Sequence, residues 1–178
     1  VSPLSSEIAR EKFKDLHQEN CGVNVVPVGF YSDIVADVIS LPACNSSTEA
    51  YSILESLRFA ATRVLDMHME DLQIQVIGHV NREEVDALLW DPMPGGSGLL
   101  EQIKNRFNEV VGVAREIVKD CPSDCESSCM DCLCTFRNTY YHKYLNRQTA
   151  LEKIDALGSS LIESHPIPPI QPVTEPRE

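Results

Sequence analysis

Apolar and polar positions along the chain follow two different rhythms, and those rhythms divide it into elements. Residues 6–18 place Ala9, Phe13 and Leu16 on one helical face. Val23–Val26 and Asp33–Leu41 are rich in β-branched residues and predict strands, the second closed by Pro42. The polar run Asn45–Thr48 offers an N-cap to a helix reaching about Met67, with Ile53, Leu54, Leu57, Ala61, Val64 and Leu65 at helical spacing. Leu72–Val76 alternates and predicts a strand with one wet face, whereas Val85–Trp90 is apolar on both faces and predicts a better-buried one.

A sharp break follows at Pro92-Met93-Pro94-Gly95-Gly96-Ser97-Gly98. Behind it Leu99, Leu100, Ile103, Phe107, Val110, Val111, Ala114, Ile117 and Val118 form one apolar stripe and predict one long helix. A last helix is expected from Arg147, with Ala150, Ile154, Leu157 and Leu161 in register. The economical solution is an α/β (α+β) domain, a small mixed sheet with packed helices. The chain divides into an N-terminal helix or linker (1–20), a main domain (21–164) and a proline-rich tail (165–178) expected to be disordered.

Length and charge narrow the function classes. At 178 residues the chain is too short for a motor enzyme, and its 27 acidic against 15 basic residues disfavour duplex binding by bulk charge. Residues 135–153 run against this trend, with Arg137, Lys143, Arg147 and Lys153 opposed only by Glu152, a net +3. Together with Tyr140, Tyr141 and Tyr144, the side chains of Arg137, His142, Lys143 and Arg147 are candidates for gripping single-stranded DNA. No run of apolar residues is long enough to span a membrane, and Val1–Arg10 reads as neither a signal h-region nor a transit peptide. It begins at Val1 rather than Met and reads as a processed or excised piece of something longer, in a reducing, cytoplasmic setting.

The cysteines carry the strongest chemical signal. Five of the seven fall within fourteen residues, at 121, 125, 129, 132 and 134. A disulfide scaffold would spread them, whereas short intervals let a turning backbone aim several thiolates at one metal. Cys121, Cys125, Cys129 and Cys132 therefore predict a structural zinc knuckle between the last two helices, with iron–sulfur as the alternative that a four-cysteine set also suits. Cys134 is a possible substitute ligand, favoured as unligated, and His142 is the ligand that a site of three cysteines and one histidine would need. Cys21 and Cys44 are expected to be small core residues.

Three further readings stay in view. Gly95, Gly96 and Gly98 predict a structural turn requiring glycine, with anion binding at the following helix as the alternative. Asp33, Glu70, Asp71 and Asp91 near strand ends would suit a metal-dependent nuclease, but no Glu-x-Lys follows any of them. With no nucleotide P-loop or hydrolase elbow in the sequence, the chain itself is expected to be no enzyme and to take no small-molecule substrate.

The stretch Asp91–Gly98, the helix after it, Cys125-Glu126-Ser127-Ser128-Cys129-Met130-Asp131-Cys132-Leu133, Arg137-Asn138 and Leu145-Asn146-Arg147 resembles the MrfA-type zinc-binding (MZB) domain over about residues 28–158. The resemblance implies Cys121, Cys125, Cys129 and Cys132 as zinc ligands. Repair-helicase members often separate the first two cysteines by one residue, where this chain has three, which makes Cys134 the stand-in for Cys121. It further implies an accessory domain of a superfamily-two DNA helicase, with the helicase core in the same parent chain or a separate subunit, acting in DNA repair or phage defence. The His142–Arg147 stretch looks closer to the defence-type branch. Rival expectations are a protein–protein adaptor that never touches nucleic acid, which the acidity favours, and a divergent nuclease.

Overall fold

The computed structural model describes residues 7–22, 34–79 and 81–157. Two compact units divide between Ile34 and Val35. In the first, α1 (Glu7–Cys21) is amphipathic, with Phe13 stacked on His17 one turn later at 5.9 Å. Cys21, expected in a core, is instead exposed, because it is the last residue of this surface helix. The strand expected at Val23–Val26, Leu161 and the proline-rich tail lie outside the described residues.

The second unit is organised around α2 (Ser47–Leu65). Ser46 caps it, its hydroxyl accepting from the Glu49 N–H at 3.1 Å, and Asp66 ends it with a left-handed backbone at φ 52°. Ile53 and Leu54 have no exposed surface, and neither do Ala50, Ala60 or Ala61. A helix covered this completely sits at the centre rather than on a surface. It packs against the sheet and against two later helices, Phe107–Lys119 and Arg147–Asp155.

Among the described residues the sheet has three strands in the order β1-β3-β2: β1 (Val38–Ser40), β2 (Gln73–Ile77) and β3 (Asp86–Trp90). The α/β class stands, and both pairings are antiparallel rather than mixed. Ile39 pairs with Leu89, and Leu89 with Ile74, so one face presents aliphatic side chains to α2 while Val38 and Gln75 face outward. β1 is shorter than its β-branched composition predicted. Only three of its residues find the β3 ladder, and a Cys44–Val85 bridge resumes the pairing beyond Pro42, which has no N–H to donate.

The long helix predicted behind the glycines is two helices, α3 (Leu99–Asn105) and α4 (Phe107–Lys119). Arg106 breaks it with φ −115° and ψ 26°. Its Nη1 donates to the Val64 carbonyl at 2.6 Å, and Nε and Nη2 hold Glu109 at 2.8 and 2.7 Å. Satisfying an orphan carbonyl at the end of α2 compensates for the interrupted ladder. The apolar stripe survives the break: Leu100, Ile103, Phe107, Val110, Ala114, Ile117 and Val118 are all buried.

After α4 come the cysteine loop, a 3₁₀ segment (Thr139–Tyr144) and α5 (Arg147–Asp155). Asn146 caps α5 by accepting from the N–H groups of Gln148 and Thr149. Three distant contacts fasten α5. Arg115 of α4 meets Asp155 at 2.7 Å, and Lys153 reaches the Ala43 carbonyl at 3.0 Å and Glu49 at 2.7 Å. Among the described residues, no helix is long and apolar enough to cross a membrane.

Candidate metal centre

The cysteine loop is built from two tight turns. In the first, the Asp124 N–H donates to the Cys121 carbonyl at 2.9 Å, and Asp124 takes φ 40°, a left-handed conformation a short polar side chain tolerates. In the second, the N–H groups of Cys132 and Cys134 both donate to the Cys129 carbonyl, at 3.1 and 2.9 Å. The Cys129 N–H lies 3.2 Å from the Cys132 sulfur. Leu133, between two cysteines, is fully buried and pins this turn to the core.

These turns bring the sulfur atoms of Cys121, Cys125, Cys129 and Cys132 within 4.8 Å of one another. Four of the separations are 3.7 Å (Cys121–Cys125), 3.5 Å (Cys121–Cys129), 3.7 Å (Cys125–Cys132) and 3.8 Å (Cys129–Cys132). A tetrahedron with Zn–S bonds of ~2.3 Å has edges of ~3.8 Å, so the thiols already stand at nearly the spacing a zinc ion would impose. Disulfides, with S–S near ~2.05 Å, do not fit that spacing. All four are free thiols, two buried and two half-buried.

Their electrostatics are unequal. Burial opposes ionisation of Cys121, but N–H donation from Cys125 and Ser123 and the contacts of the Cys129 and Cys125 thiols outweigh it, lowering its pKa to about 7. Burial dominates at Cys132 and Cys125 and pushes both thiols up. A divalent cation at the centre is what would let all four ionise together.

Cys134 is not in this group. It is buried, and its sulfur turns toward the Ser128 hydroxyl at 3.4 Å. His142 is also outside it. Its Nε2 lies 2.9 Å from the Thr135 carbonyl and 2.6 Å from Asn138 Oδ1, bracing the turn before the 3₁₀ segment. Cys44 is fully buried beside the sheet, and its thiol is pushed up by that burial.

Residues 53–133 match the family model of the MrfA Zn-binding domain (MZB). Over that segment the chain is similar to an MZB zinc-binding domain. All four clustered cysteines lie inside the matched segment, so a zinc-binding family and a four-thiol cluster of zinc-like spacing coincide. Among curated proteins, the chain is 25% identical over 118 residues to "Druantia protein DruE" of Escherichia coli strain UMEA 4076-1. That alignment covers 63% of this chain and 6% of DruE, so the chain corresponds to a small fraction of its relative's length. Among solved structures, the DUF1998 helicase MrfA bound to DNA aligns with 61% of this chain and 14% of its own, at 21% identity and a TM-score of 0.46.

The basic candidates do not all face solvent. Arg147 requires a correction. Expected on a nucleic-acid-facing surface, it is 6% exposed. Its guanidinium donates to the carbonyls of Cys125 (2.6 Å), Val118 (3.2 Å) and Lys119 (3.2 Å) and pairs with Asp124 at 2.8 Å. The planar fork thus closes the end of α4 over the cysteine loop. Arg137 and Lys143 are exposed, Arg137 in a 3.5 Å pair with Glu70 and Lys143 with Nζ 4.8 Å from the Tyr144 ring centroid.

Gly95, Gly96 and Gly98 have φ of 84°, 79° and 80°. Asp91 organises their turn: 1% exposed, it accepts from the Met93 N–H at 2.9 Å and from the Ser97 N–H and hydroxyl, each at 2.5 Å. A carboxylate spent this way is a turn anchor and not the open metal ligand a nuclease needs. Of the other acids considered, Asp71 caps its own turn through the His68 N–H, Glu70 pairs with Arg137, and Asp33 lies outside the described residues.

One feature of the core escaped sequence reasoning. Glu55, in the middle of α2, is fully buried and bonded to Arg58 at 2.6 Å and to the Tyr141 hydroxyl. Burial and the neighbouring Glu55 charge push the Tyr141 phenol up, so it stays a donor. The i, i+3 spacing of Glu55 and Arg58 reads as an ordinary solvated helix pair, and Tyr141 is 86 residues away.

Proposed function

We propose that this domain is a non-catalytic, zinc-stabilised accessory module of a DNA helicase that acts in defence against phage. Cys121, Cys125, Cys129 and Cys132 hold the zinc in a closed shell. Four thiolates fill a tetrahedron and leave no coordination position for a catalytic water. The single observation that carries this reading is the four-thiol cluster lying inside the MZB match. The helicase assignment follows the resemblance to the MrfA-type zinc-binding domain, which implies an accessory domain of a DNA helicase. The defence role follows the stretch His142–Arg147, which resembles the defence-type branch. The motor lies in the same parent chain or in a separate cytoplasmic subunit.

The mechanical role follows from the packing. Zinc would fix the loop between α4 and α5, both helices pack on α2, and α2 carries the sheet. The test is DNA unwinding by the parent protein or complex carrying Cys129→Ser with Cys132→Ser. Unwinding should fall while ATP binding by the motor is retained. Unwinding at the wild-type rate after zinc loss would refute the reading and leave the adaptor role.

A further inference from the structure

We infer that Phe136 and Tyr140 form a base-stacking platform for single-stranded nucleic acid, with Arg137 and Lys143 placed for its phosphates. This deepens the helicase-associated reading and rests on it for the choice of DNA over RNA. Phe136 is 88% exposed and Tyr140 78%. In the same unit Tyr51, Phe59, Trp90, Phe107, Tyr141 and Tyr144 are all buried or half-buried. The two uncovered rings therefore stand four positions apart directly after the cysteine loop, with the exposed Arg137 between them and Lys143 three residues on.

The segment that shows these rings is fastened from beneath. The Thr135 N–H donates to Asn138 Oδ1 at 2.7 Å, and the fully buried Asn138 donates to the Leu133 carbonyl at 2.9 Å. Tyr140 stands perpendicular to Tyr141 at 4.6 Å, and Tyr141 is held by Glu55 in the core. Rings on a pre-ordered backbone lose little further entropy when a ligand docks. An exposed aromatic on a rigid base signals an interaction surface more than it does on a loose tail.

Charge selects the ligand class. In a chain of net charge −12, the charged residues next to these rings in sequence, Arg137 and Lys143, are cationic. Among the described residues the Arg137 guanidinium is engaged only by Glu70 at 3.5 Å, with both side chains more than half exposed, an ion pair weak enough to exchange for a phosphate. Aromatic faces interleaved with cations suit unpaired bases on a phosphate backbone, since every base has a π-face. An apolar protein pocket would take the rings but gain nothing from the cations.

The test is binding of the full chain to a fluorescein-labelled oligothymidylate of about 20 nucleotides, longer than the site sizes usual for such surfaces. Phe136→Ala and Tyr140→Ala should each weaken binding about 5- to 100-fold, the range for a lost base stack, and Phe136→Trp should restore it. Zinc content and melting temperature should not change, because neither ring is buried. Phe136→Trp also adds an exposed indole whose emission should be quenched by the oligonucleotide. Affinity unchanged in both alanine variants, or unquenched emission at saturating oligonucleotide, overturns the platform. No single-strand binding by the wild-type chain overturns it too, and leaves the helicase reading to the unwinding test.

Discussion

Arg147, the first residue of α5, donates its Nε–H to the carbonyl oxygen of Cys125 at 2.6 Å. The same side chain holds the last carbonyls of α4, and its own N–H donates to the Ser127 carbonyl at 2.6 Å. One residue therefore joins two helices and the loop that carries four thiols. Arg147→Lys should destabilise the domain by about 2–4 kcal/mol, since an ammonium cannot reach four separated acceptors and leaves carbonyls unpaired. Thermal melts and chelator-driven zinc release check it together, and zinc should leave faster from the variant.

Cys129→Ser and Cys132→Ser should each abolish zinc binding and loosen α5, whereas Cys134→Ser should retain zinc, its sulfur being turned toward Ser128. Structural zinc contributes about 10–16 kcal/mol in small peptides, so loss of the ion should lower the melting temperature clearly. Native mass spectrometry of the three variants separates the ligands from the bystander. Zinc lost from Cys134→Ser would show that the ligand set is wrong.

Glu55→Ala should cost about 3–5 kcal/mol, because it strands the Arg58 guanidinium in the core and leaves the Tyr141 hydroxyl without its acceptor. The double change Glu55→Leu with Arg58→Met should recover most of that loss, since no unpaired charge remains buried. Urea denaturation of the single and double variants measures the difference.

Gly96→Val should destabilise the domain by about 1–3 kcal/mol. At φ 79° any side chain is strained, and a Cβ there would also lie 2.8 Å from the Asp37 carboxylate. Gly95→Val meets open space and only the backbone strain of φ 84°, so its cost should be the smaller. Comparing the two melting temperatures separates steric from torsional strain.

Burial opposes ionisation of Asp91, but the Ser97 hydroxyl, the Ser97 N–H and the Met93 N–H more than offset it and hold the carboxyl below its ordinary value. An unfolded aspartate titrates near ~3.9. The stabilisation is therefore complete above that value and is lost as pH falls through the lower folded one. Asp91→Asn should lower the melting temperature at pH 7 and flatten its decline below about pH 4. An equally steep acid decline in the variant would show that other carboxylates govern it.

The sequence by itself determined whatever depends on near neighbours. The cysteine intervals, the proline–glycine turn and the stripe from Leu100 to Val118 are local, and each was legible because a turn or a helix face is specified within a few residues. Tertiary structure decided the rest. Whether Arg147 faced solvent or the loop depended on Cys125, 22 residues away, and whether Glu55 was wet or buried depended on Tyr141, 86 residues away. The break at Arg106 likewise depended on a carbonyl 42 residues earlier. A charged side chain reads as solvated until the fold brings it an acceptor, because its desolvation is offset only by partners that spacing along the chain does not reveal. The neighbouring tyrosines are the converse case: Tyr140 and Tyr141 read alike as exposed candidates, and only the packed molecule leaves Tyr140 uncovered while burying Tyr141.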